Sequence, residues 1–247
     1  MSDGPDTRAG DKLRDTDEPA TPIYGEVWAF ESFLGALPGI SLSDRAAIAT
    51  QVGLFSSAVV LLGFLYGVEQ AILPGLVAVG VAGVGSAAML RFSRGVRRLD
   101  PPVAYRRLLF GSSVEIVLTV FAFVGLVVYL LVVEPAAPGT PLLVELLGEP
   151  LPVVPTAVAL LVLWDLCYRT GVAWWAAVAS LWRALSVPVD PDLASDYRRL
   201  DVFNVAFALA QLALVPFVLT RPLLLLAVCG HVVAVLVVET AAIKFQQ

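Results

Sequence analysis

Charge is scarce in this chain, and so are the residues that most often do chemistry. Only 15% of its 247 residues are Asp, Glu, Lys or Arg, against about 25% in soluble domains. It has one histidine, two cysteines and two lysines. A single histidine cannot build a histidine-rich metal centre, and no HExxH or Cys/His cluster accompanies it. No metal and no cofactor are therefore expected. Cys167 and Cys229 lie in apolar stretches without ligand spacing and read as small buried residues. No nucleophile–base motif is present, so no enzyme is expected. A pI near 4.9 offers nucleic acid no basic surface.

What is abundant is apolar. The chain is 58% hydrophobic, with a mean hydropathy of +0.84. That leaves too little polar surface for a soluble globule and points to an integral membrane protein. The basic residues are fourteen Arg against two Lys. The excess of Asp over Lys and the acidic tail resemble proteins of halophilic archaea in composition, which assigns no activity.

Six stretches are long enough, or nearly so, to cross about 30 Å of hydrocarbon as helices. They fall at about 46–67, 71–91, 109–133, 155–184, 201–220 and 222–242. The fold class expected is all-α: a polytopic integral membrane helical bundle, six transmembrane helices arranged as three hairpins. Residues 1–22 read as a disordered acidic cytoplasmic tail with no secretory signal. Residues 23–40 place Phe30, Phe33, Leu34 and Leu37 on one helical face, with Trp28 close by. This is the pattern of a short interfacial amphipathic helix on the membrane surface. Residues 41–247 form the six-span domain. The fourth stretch is too long for a straight span and must tilt or project. Within 142–152 the sequence allows a re-entrant turn, an interfacial helix or a loop.

Basic residues set the orientation. One side carries Arg45, Arg91, Arg94, Arg97, Arg98, Arg106, Arg107, Arg183, Arg198, Arg199 and Lys244; the other carries Arg221 with Glu69, Glu134, Glu145 and Glu149. Both termini are expected in the cytoplasm and the protein in the cell membrane. Arg91, Arg94, Arg97, Arg98, Arg106, Arg107, Arg198 and Arg199 are candidates for contact with membrane lipid head groups, each contributing about 1 kcal/mol near an anionic surface.

An internal repeat is visible. Tyr105-Arg106-Arg107-Leu108 precedes the third span and Tyr197-Arg198-Arg199-Leu200 the fifth. Asp100-Pro101 and Asp190-Pro191 stand upstream. Met89-Leu90-Arg91 and Leu181-Trp182-Arg183 end the preceding spans, and Ser43-Asp44-Arg45 is a degenerate third copy. Three parallel hairpins would follow. Ala78, Ala82 and Ser86 make a small-residue stripe for close packing, within the bundle or between protomers of a homo-oligomer. Gly83-Val84-Gly85-Ser86-Ala87-Ala88 fits a dinucleotide fingerprint only formally, because no strand precedes it.

The tract Trp164-Asp165-Leu166-Cys167-Tyr168-Arg169 sets a carboxylate and a guanidinium four residues apart at bilayer depth, where charge needs a partner. At 1.5 Å per residue, Asp165, Gln211 and His231 share a level roughly 13–15 Å into their spans. Gln51, Glu115, Asn204 and Glu239 sit nearer the cytoplasm. The intramembrane polar cluster expected is thus Asp165, Arg169, Glu115, His231, Gln211, Asn204 and Glu239. It reads first as a clamp in a non-catalytic scaffold or membrane partner protein. The alternative is a small transporter or channel with a polar path through Asp165, Arg169 and His231.

Overall fold

The computed structural model describes Trp28, residues 43–188 and residues 191–245. The segments 1–22 and 23–40, Trp28 excepted, and the Asp190 half of the second Asp-Pro joint lie outside the described residues. Among those described the chain is all-α, with no strand. Six helical segments are long and apolar enough to cross a membrane: Arg45–Leu65, Glu69–Arg98, Val103–Val133, Val153–Ser186, Leu193–Val218 and Pro222–Phe245.

Helix α1 (Asp44–Leu65) starts where the Ser43 hydroxyl accepts from the Ala46 amide at 3.4 Å, satisfying a free donor of the first turn. It ends at Gly67, whose φ of 64° only glycine adopts at low cost. The Val68 amide donates back to Gly63 O and the Gly67 amide to Phe64 O, at 2.8 and 3.4 Å. That paired closure caps the helix and sends the chain through a 3-10 turn (Glu69–Ala71) into α2 (Ile72–Arg98).

Helix α2 runs two turns beyond the expected end at residue 91. No breaker intervenes before Pro101, and Phe92, Ser93 and Val96 give the extension a buried face. Asp100, at φ 43°, then turns the chain into α3 (Val103–Gly111). The third span is also not one helix. It breaks at Ser112-Ser113, where Ser113 adopts φ 54°, before α4 (Val114–Val128) and its π-helical last turn, Tyr129–Val133.

The segment left open in the sequence is a short helix, α5 (Leu142–Leu147). Helix α6 (Val153–Ser186) is continuous over 34 residues, about 51 Å at 1.5 Å per residue. Helix α7 (Pro191–Ala210) begins ten residues before the expected fifth span, so its Tyr-Arg-Arg-Leu copy is helical rather than a joint. At Gln211–Leu214 the chain tightens to 3-10 geometry and then resumes as α8 (Val215–Val218). Pro216 explains the change: its ring clashes with the carbonyl four residues back. Helix α9 (Pro222–Phe245) follows, with proline at its start, where a missing N–H costs nothing.

Helix α6 is the centre of the bundle and packs against α1, α2, α3, α4, α5, α7 and α9. The expected hairpin partners also meet: α1 with α2, α4 with α6, and α7 with α9. The Ala78–Ala82–Ser86 stripe faces inward, with Ala82 and Ser86 buried.

The arginine-rich end has a core of its own. Phe92, Val96, Tyr105, Leu109, Phe110, Tyr168 and Tyr197 pack there with Trp28. Trp28 is 1% exposed, stacks on Phe92 and donates its indole N–H to Leu109 O at 3.0 Å. Trp28, the one described member of the 23–40 segment, is therefore packed inside the arginine-rich end.

Candidate functional site

Depth along a helix does not fix direction around it, and the seven polar residues expected to share one cluster separate into four places. The first joins α6 to α1. Arg169 Nη2 and Nε donate to Asp165 Oδ1 and Oδ2 at 2.7 and 3.2 Å, and Gln51 Nε2 donates to Oδ2 at 3.0 Å. The i,i+4 spacing puts both charges on one face of α6, and Arg169 is 5% exposed. Its side chain passes Gly85 of α2, where a Cβ would stand 2.7 Å from Arg169 Cδ. Glycine there makes room for the guanidinium.

The second place sits where α7 turns 3-10. Gln211 Nε2 lies 3.4 Å from His231 Nε2 on α9, and the Thr170 hydroxyl of α6 donates to Gln211 Oε1 at 3.4 Å. The third joins α6, α7 and α9: Asn204 Nδ2 donates to Glu239 Oε1 at 2.6 Å and to Ala173 O at 2.9 Å. The second oxygen of Glu239, Oε2, is buried without a hydrogen-bond partner. Glu115 stands apart from all three in the first turn of α4. It is 1% exposed, and its Oε2 also has no partner. Neither Glu115 nor Glu239 joins the Asp165–Arg169 pair.

A fifth polar group is one the sequence reading missed. Arg183 counted there only among the basic residues that mark orientation; its side chain is fully buried. Its Nη2 donates to Asp201 Oδ2 at 2.8 Å and its Nη1 to the Tyr105 hydroxyl at 3.0 Å. Ser180 donates to the other Asp201 oxygen at 2.9 Å. The guanidinium carbon stands 4.1 Å from the Tyr197 ring centre and 5.2 Å from that of Tyr105, within cation–π range.

The signal for this group was in the repeat: Tyr105 and Tyr197 are its equivalent tyrosines, and they meet edge to face at 6.2 Å. The two copies close on one arginine. Its counterpart, Arg91, is exposed and lies 4.8 Å over the Phe203 ring instead.

Of the arginines expected to face lipid head groups, Arg91, Arg94, Arg98, Arg107 and Arg199 are exposed, while Arg97, Arg106 and Arg198 are half-buried. Arg97 donates to Ser93 Oγ at 2.6 Å and lies over Phe110.

At the opposite end Arg221 gathers the loops. It contacts Glu134 at 3.1 Å and Glu145 at 2.7 Å, and donates to Thr140 O at 2.8 Å. Beneath it, α5 covers an apolar cavity of about 240 Å³. All six spans contribute to its wall, and every lining residue is Leu, Val, Ala, Gly, Pro or Phe. By contrast, the voids against Asp165 and against Arg169 are each about 10 Å³.

Among the described residues, no three His, Cys, Asp or Glu side chains converge as metal ligands. A family model matches residues 23–242. The chain belongs to a family of unknown function, DUF7530. No curated protein and no solved structure matches it. The match to DUF7530 takes in Trp28, five of the six apolar segments whole and the sixth as far as residue 242, with the polar groups between them.

Proposed function

We propose that this DUF7530 protein resides in the cell membrane with both termini in the cytoplasm. There it acts without catalysis, as a scaffold or partner protein whose helices are clamped by buried polar contacts. One observation carries the reading. The Asp165 carboxylate is committed to three donors from two helices, and the void beside it is about 10 Å³, at the lower bound for a single water. A carboxylate so fully engaged, even with 21% of its side chain exposed, suits helix registry better than exchange with a permeating ion.

The transporter reading has one observation in its favour: the change from α to 3-10 geometry at Gln211, beside His231 and Thr170. Discontinuous helices at mid-span often bind transported solutes.

Water access separates the two. Cys167 and Cys229 are replaced by Ser, and single cysteines are placed at Ala82 and Ala173. Both are exposed in membranes to a small charged thiol reagent. Protection at both positions in folded protein supports the clamp. Rapid labelling at either reveals an aqueous path and overturns it.

A further inference from the structure

The cavity under α5 plays no part in the clamp, and its chemistry is distinct. Its wall holds no polar side chain, so water inside would lack the two to four hydrogen-bond partners that hold buried water. An apolar guest has no such penalty. Along α6 the wall runs from Pro155 to Leu166, about 16 Å at 1.5 Å per residue. That is close to half of a hydrocarbon core about 30 Å thick, the depth that one lipid tail covers.

The end of the protein at which the cavity sits selects the head group. Glu69, Glu134, Glu145 and Glu149 stand there against one arginine, Arg221, which is already engaged by Glu134 and Glu145. Among the described residues an anionic head would meet net negative charge at this end and no arginine or lysine besides Arg221. We infer that the cavity is a binding site for one hydrocarbon tail of an uncharged lipid, walled on one side by α5, which Arg221 tethers through Glu145. Helix α5 suits the role. Leu142, Leu143, Leu146 and Leu147 face the cavity, while Glu145 on its other side carries the contact to Arg221.

The test uses the full chain in lipid nanodiscs with two photoactivatable probes of equal chain length. One is a diacylglycerol bearing a diazirine within one tail; the other is the corresponding fatty acid, ionised at pH 8. Cross-linked residues are mapped by peptide mass spectrometry. The diacylglycerol is expected to label cavity residues such as Leu143 and Leu163 saturably, and several-fold more than the fatty acid does. Ala159→Phe, which fills the cavity from α6, should suppress that labelling while leaving exposed Phe121 and Leu226 labelled as before. Leu142→Trp makes the same test from α5, outside the packed spans, if Ala159→Phe does not fold. Absence of cavity labelling by both probes overturns the site, as does labelling that never saturates and matches that at Phe121. Equal or stronger labelling by the fatty acid overturns the assignment of an uncharged head.

Discussion

Arg183 on α6 and Asp201 on α7 meet at 2.8 Å with both side chains fully removed from solvent, between the two tyrosines of the internal repeat. Removing one partner of such a pair strands the other charge, which costs about 3–5 kcal/mol, whereas removing both together is often far milder. Arg183→Gln and Asp201→Asn should each lower the thermal midpoint in detergent sharply, and the double variant should recover much of the loss. Additive losses would show that the two side chains act independently.

The Asp165–Arg169 pair should behave differently, because the Asp165 side chain keeps 21% of its surface exposed whereas Asp201 has none; each carboxylate keeps a second donor, Gln51 or Ser180. Arg169→Gln should therefore be milder than Arg183→Gln, because a carboxylate still in contact with solvent costs less to strand than a fully buried one. Thermal unfolding of the two variants side by side decides this, and equal losses would show that the exposure of Asp165 brings it no relief.

Glycines separate packing from helix propensity. A Cβ on Gly171 would stand 2.8 Å from Thr119 Oγ1 and 3.1 Å from Glu115 O, while one on Gly80 would meet nothing within 4 Å. Gly171→Ala should force α4 away from α6 at a cost of about 1–3 kcal/mol. Gly80→Ala should be neutral or stabilising by up to about 1 kcal/mol. Thermal midpoints that fall equally in both would contradict the close approach.

Trp28 ties the segment before α1 to the arginine-rich end. Trp28→Ala removes a large buried ring and leaves Leu109 O without its donor, a loss of about 3–5 kcal/mol. Limited proteolysis should then cut before residue 43 much faster than in the parent, with the spans still protected. An unchanged cleavage rate would show that Trp28 does not hold the segment.

Orientation has a direct assay. A cysteine at Gly139 should react with a membrane-impermeant thiol reagent on intact cells. One at Ser43 should react only after permeabilisation. The reverse pattern would invert the protein and move the arginines to the outer face.

The spans were legible because twenty or so consecutive apolar residues have few other stable environments. Their ends at the arginine-rich side were less so, because α2 runs on there and α3 and α7 begin there, around a separate aromatic core. Arginines beside Phe92 or Tyr197 then read as solvated boundary residues. The polar residues failed in a different way. Helical rise gave Asp165, Gln211 and His231 a common level, and Gln211 does reach His231. Rise carries no information about which way a side chain points, so Asp165 turned out to face α1, and Glu115 faces none of them. Arg183 was the most costly misreading. A basic residue near the end of a span is usually a marker of topology, and only the repeated tyrosines hinted otherwise.

Helix α6 reaches every other spanning segment. From it Asp165 meets Gln51, Thr170 meets Gln211, Ala173 meets Asn204, Trp175 meets Leu108 and Arg183 meets Asp201. These contacts are spread over about five turns of a single unbroken rod. A rotation or slide of that rod could not release one without straining the rest. It works as an axle keyed at successive heights, so a signal or load applied at one end would arrive at the other as motion of the whole shaft.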